Sequence, residues 1–173
     1  MKATSELAAL DPAELYERDF YAWTRHQARA LSRLRGVPGN LGLDPAHLAE
    51  EVRDLGNEQR YAVESQLERL IEHLLKLEYS ERAEPRRVWA RSVDDARYEI
   101  ERRLTPTLRR AVARRLATLY AHARRQARRA LLDHPEPEAA AAIPETCPWT
   151  LDQLLAEDWY PTNRHGLPAP ELP

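Results

Sequence analysis

Four long stretches of the chain place apolar residues at steps of three and four, the period of a helix that buries one face. None shows the strict alternation of a half-buried strand. The first stretch opens at Asp11-Pro12-Ala13-Glu14, where an acid caps, a proline takes the first helical position and a glutamate completes a capping box. Its stripe is Tyr16, Phe20, Trp23, Gln27, Leu31 and Leu34, and "RGVPGNLGLD" stops it with three glycines and a proline. The second repeats the start signal at Asp44-Pro45 and runs to about Glu78. Leu48, Val52, Leu55, Val63, Leu67, Leu70, Leu74 and Leu77 form its apolar side. Some 34 residues at 1.5 Å each give roughly 50 Å, long enough for several helices to pack along it.

The third stretch covers about Arg86 to Leu104, with Val88, Trp89, Val93, Ala96, Ile100 and Leu104 inward. Thr105-Pro106 starts the fourth, whose stripe is Leu108, Val112, Leu116, Leu119, Tyr120, Ala123, Ala127 and Leu131. "DHPEPEAAAAIP" reads as a linker, mobile or draped over the surface. A short fifth helix is signalled in "CPWTLDQLLAEDWYP": Thr150 caps, Gln153 completes the box, Trp149 and Leu154 stand at staple positions, and Pro161 stops it. The pattern predicts an all-α, antiparallel helical bundle of four main helices plus a short C-terminal helix. Residues 1–11 read as an N-terminal arm, 12–161 as a single helical domain and 162–173 as a flexible tail.

Composition narrows the class. At 173 residues, 43% hydrophobic and 31% charged, the chain suits one globular domain with a charged surface. A formal charge of -2 predicts no global attraction to nucleic acid or membranes. The single cysteine, Cys147, excludes an internal disulfide and a cysteine-only zinc site, and fits a reducing compartment. No apolar run approaches the ~20 residues of a membrane span, and "MKATSELAAL" lacks the apolar region of a signal peptide. The expectation is a cytoplasmic protein.

A resemblance runs through these elements. Its residues are Tyr16, Asp19, Phe20, Tyr21 and Trp23 of "YERDFYAWT", and Leu48 to Glu51, Asp54, Leu55 and Gly56 of "LAEEVRDLG". Arg60, "HLLK" from His73 to Lys76, and Trp89 follow. The C-terminal part supplies Cys147, Pro148, Leu151, Leu154, Leu155, Asp158 and Pro161. With this spacing the chain resembles the bacterial domain of unknown function 29, over about residues 12–161. The resemblance implies an all-helical fold, and the family has no established activity, substrate or cofactor to transfer.

Two regions carry candidate chemistry. In "HLAEEVRDLGNEQ", the positions of His47, Glu51, Asp54 and Glu58 share one stripe of a helical wheel, beside the core stripe. Carboxylates and histidines three and four apart can share a metal if a second helix helps. An antiparallel hairpin of the first two helices brings His26 level with Asp54, making His26, Glu51 and Asp54 a metal-ligand set. The competing readings are a solvated acidic first turn and a protein-binding edge. The same register levels Asp19 with Arg60 as an ion pair, and lays Trp23 across Gly56. His73 reads as a buried hydrogen-bonded histidine and Cys147 as a buried loop residue.

The second region is the fourth helix, whose charges before Asp133 are all arginines. Arg110, Arg114, Arg124, Arg125 and Arg128 are its candidate partner or nucleic-acid surface. Residues 44–84 hold eleven acids against five bases, so these arginines can instead pair internally. Few aromatics interleave with them, which disfavours stacking on single-stranded nucleic acid. No pattern points to catalytic residues or to a cofactor. The sequence therefore predicts a non-catalytic interaction or regulatory protein that binds a protein partner or itself. A metal-binding protein or metal-dependent enzyme at the first hairpin, and nucleic-acid binding through the arginines, are the alternatives.

Overall fold

In the computed structural model, described over residues 11–34 and 42–169, the chain is all-α: eight helices and no strand occur among the described residues. They are α1 Pro12–Arg18, α2 Phe20–Arg33, α3 Pro45–Tyr79, α4 Arg86–Glu101, α5 Pro106–Ala113, α6 Leu116–Asp133, α7 Pro137–Ala142 and α8 Leu151–Leu155. The residues gather into two compact units. One comprises Met1–Ala62 with Leu104–Ala111, the other Val63–Arg103 with Val112–Pro173.

In the first unit the expected opening helix is broken at Asp19. Its backbone leaves helical geometry, with φ −152° and ψ 79°, so it ends α1 and caps α2. One carboxylate oxygen accepts from Ala22 N at 2.9 Å and from Thr105 Oγ1 at 2.7 Å; the other accepts from Thr107 N at 3.0 Å. The side chain is fully buried. The ion pair with Arg60 expected from the register is thus replaced by caps on α2 and α5.

The buried face of α2 is also rotated from the expected stripe. Tyr21, Thr24 and Ala28 point inward, whereas Tyr16 is exposed and Phe20 and Trp23 are half-buried. Ala49 and Gly56 are the buried counterparts on α3, while Leu48 and Leu55 stand exposed. Gly56 makes room for Thr24 rather than for Trp23. A Cβ on Gly56 would lie 2.2 Å from Thr24 Oγ1 and 3.2 Å from Thr24 Cβ. Mid-α2 thus meets the first third of α3, the register of antiparallel neighbours joined end to start.

The second unit is built around the later turns of α3. Leu67, Leu70, Ile71, Leu74, Leu75 and Leu77 are all buried, so this segment is apolar nearly all round and forms the centre of the core. Trp89, Val93, Ala96 and Ile100 of α4 and Leu119, Tyr120, Ala123, Ala127 and Leu131 of α6 are buried in the same unit. Val88, expected inward, is exposed. The expected fourth helix divides into α5 and α6 at a turn over Arg114-Arg115.

Two segments expected to be loose are fastened. In place of the mobile linker, Pro137–Ala142 forms α7, and Ala139, Ala140 and Ile143 are buried. Glu136 accepts from Ser80 Oγ and from Glu81 N, both at 3.0 Å. After Pro161, where a flexible tail was expected, Asn163 is buried and its amide donates to the carbonyls of Leu77 at 2.8 Å and Ser80 at 2.9 Å. The guanidinium of Arg86 bonds Leu77 O at 2.7 Å and Pro168 O at 3.0 Å. These donors take up the carbonyls left free where α3 ends. Before them, α8 has the expected box: Gln153 N donates to Thr150 Oγ1 and Thr150 N to Gln153 Oε1.

Candidate functional site

The acidic stretch of α3 is surface. His26, Glu51 and Asp54 are each exposed, and Asp54 accepts from Asn57 Nδ2 at 3.1 Å. The reason is angular. Thr24 and Gly56 face each other, and two residues along a helix is about 200°, so His26 and Asp54 turn away on opposite outer edges. Among the described residues no group of three or more His, Cys, Asp and Glu side chains is placed to hold a metal ion. At the start of the stretch, His47 Nδ1 lies 2.5 Å from Asp44 Oδ2. The hydrogen bond between them, helped by their opposite charges, holds Asp44 below the usual carboxylate range and raises His47 above that of a free imidazole.

A more convergent polar arrangement lies in the second unit, where His73 is the sole cue legible in the sequence. Ser65, Glu68, Arg69 and Glu72 on α3 face His122, Ala123 and Gln126 on α6 across an open groove of about 210 Å³. His122 Nδ1 meets Glu68 Oε2 at 2.7 Å, and Arg69 Nε donates to Ser92 Oγ at 2.9 Å. Glu72 accepts from the buried Lys76 Nζ at 2.7 Å, and that ammonium sits 5.5 Å from the ring centre of Trp89. Beside them, burial pushes His73 down to about 4, helped by the charge of Lys76. Its Nδ1 is buried without a hydrogen-bond partner.

This groove has a carboxylate that orients an imidazole, and no nucleophile joined to it. Among the described residues no serine, threonine or cysteine is hydrogen-bonded to His122. Cys147, half-buried elsewhere in the unit, donates to Trp149 O at 3.3 Å, and burial raises its thiol above the usual range. A thiol held neutral is a poor nucleophile. Glu68 could not be singled out in the sequence, because its partner is 54 residues away and both belong to charged helix faces.

The arginines do not form one free surface. Arg110 belongs to the first unit and bonds Thr107 Oγ1 at 3.0 Å. In the second unit Arg124 donates twice to Ile143 O, at 3.3 and 3.1 Å, which holds the end of α7. Arg128 is half-buried, with its Nε enclosed. Arg115 Nε meets the almost buried Glu64 Oε1 at 2.7 Å. Arg114 and Arg125 remain exposed. Internal pairing between α3 and the arginine-rich segment, one of the two uses weighed from the sequence, therefore accounts for part of this charge.

Comparison with known proteins agrees with this architecture. A crystal structure of an alpha-helical protein of unknown function from Rhodospirillum rubrum superposes with a TM-score of 0.73 at 24% identity, over 83% of this chain and 90% of that one. At that identity the likeness speaks for the fold alone. No curated protein matches the chain. The family model described as domain of unknown function DUF29 matches residues 15–160. That span runs from the first turn of α1 to the segment fastened by Arg97, and the chain belongs to the DUF29 family.

Proposed function

We propose that this is a non-catalytic interaction protein whose binding surface is the outward apolar face of the first unit. One observation carries the reading. The rings of Tyr16, Phe20 and Trp23 pack on one another at 4.9 to 5.6 Å between centres, yet Tyr16 keeps 45% of its surface exposed. Leu48 and Leu55 on α3 add 38% and 49% exposure. Clustered, partly exposed aromatics beside exposed leucines are costly to leave in water and are the usual anchors of protein interfaces. The polar residues that first suggest chemistry have structural work instead: Asp19 caps two helices, and Arg97 and Asn163 tie down loops.

The test is a double substitution, Tyr16→Ser with Trp23→Ser, on positions that are not core. The expected result is loss of association, with itself or with a host protein recovered by the wild type. Circular dichroism should show the variant folded, with a stability loss of about 1–3 kcal/mol from the lost ring contacts. Association that survives the double substitution unchanged would remove the reading.

A further inference from the structure

The apolar face has a geometry that selects its occupant. Trp23 and Leu55 each stand one residue before the contact pair Thr24 and Gly56, and Phe20 and Val52 each stand four before. Equal angular offsets from the contact, about 100° and 40°, place both stripes on the same side of an antiparallel pair. Two helices then form one layer with an apolar side on which Leu48 and Leu55 stay exposed.

The edges of this layer are charged with opposite character. α2 contains no acidic residue, and its outer edge carries His26 and Arg33, seven apart and exposed. The outer edge of α3 carries Glu51 and Glu58, also seven apart and exposed, with Asp54 between them. Among the described residues none of these five side chains enters an ion pair. We propose that a second copy of this chain covers the face, about a two-fold axis parallel to the helices, so that α2 of each copy lies on α3 of the other in a four-helix arrangement. The inference rests on the proposed interaction role and adds the identity of the partner. That axis sets the basic edge of one copy beside the acidic edge of the other. The perpendicular two-fold would set acidic edge against acidic edge, where like charges repel. Isologous pairing of this kind repeats every contact twice.

Sedimentation equilibrium on the full chain tests it with two sets of charge reversals, both on exposed positions. One is His26→Glu with Arg33→Glu, the other Glu51→Lys with Glu58→Lys. The wild type is expected to dimerise, and each variant alone to weaken dimerisation by about 100-fold, since both edges of its homodimer become repulsive. An equimolar mixture of the two variants should restore a dimer, because both edges of the heterodimer are complementary again. Circular dichroism of each variant confirms folding. A wild type that stays monomeric overturns the inference, as does a dimer indifferent to both sets. If Tyr16→Ser with Trp23→Ser still costs a monomeric wild type a host partner, only the second-copy inference falls. If that double substitution changes nothing either, both readings fall.

Discussion

Gly56 and Thr24 approach so closely that the side-chain space between α2 and α3 is filled by a hydroxyl and a hydrogen. Alanine at Gly56 would favour the helix by about 1 kcal/mol but overpack the contact by typically 1–3 kcal/mol. Gly56→Ala is therefore expected to lower stability in urea unfolding. Adding Thr24→Ala, which removes the oxygen 2.2 Å from the new Cβ, should recover most of the loss. His73 gives a pH signature. Its folded-state value near 4 lies below the 6.5 of a free imidazole, because burial and Lys76 oppose its charge. Between 6.5 and about 4 the unfolded chain takes up a proton that the folded chain refuses, so stability falls as pH falls through that window. In His73→Gln the urea midpoint is expected to fall less between pH 7 and pH 5. At this scale the sequence was partly legible. His73 is half-buried rather than buried, and its Nδ1 lacks the hydrogen bond expected of it, because both depend on what packs beside it.

At the scale of elements, local signals were read well and long-range ones were not. The caps at Asp11 and Thr150 lie within three residues of their donors, so the sequence displays both halves. Asp19 is expected from the sequence to pair with Arg60 from within a continuous helix, because the donors that hold it, Thr105 and Thr107, are 86 and 88 residues away. The rotation of α2 has a related cause. The largest apolar residues suggested the buried stripe, whereas close approach to α3 selects small ones, Thr24, Ala28, Ala49 and Gly56. The anchoring of the last helix was not legible for the same reason. Its anchor is Arg97, which donates to Leu154 O at 3.0 Å, Glu157 O at 2.9 Å and Trp159 O at 2.6 Å. Tyr160 stacks against that guanidinium and bonds Asp94. Lysine at Arg97 keeps the charge but loses the planar fork. Arg97→Lys should therefore raise hydrogen exchange over residues 151–160 by about 10-fold or more while α6 stays protected, a change of roughly 1.4 kcal/mol or more. Uniform exchange across both segments would contradict that role.

Across the whole molecule, a net charge of -2 conceals two uses of the same residues. In the second unit the acids of α3 meet side chains of the arginine-rich segment, as Glu64 does Arg115 and Glu68 does His122. In the first unit the charges of α2 and early α3 stay at the outer edges, flanking exposed rings and leucines. The helical class was legible from periodicity alone. The contrast between a unit whose charges pair inside the chain and one that keeps an open apolar face was not, since periodicity does not say which stripe is covered. The mass of the protein in solution tests most directly whether a second copy covers that face. Sedimentation equilibrium should give twice the 20.0 kDa chain mass for the wild type and the single-chain mass for Trp23→Ser. A wild type that remains at the single-chain mass, or a Trp23→Ser variant that dimerises as strongly as the wild type, would contradict it.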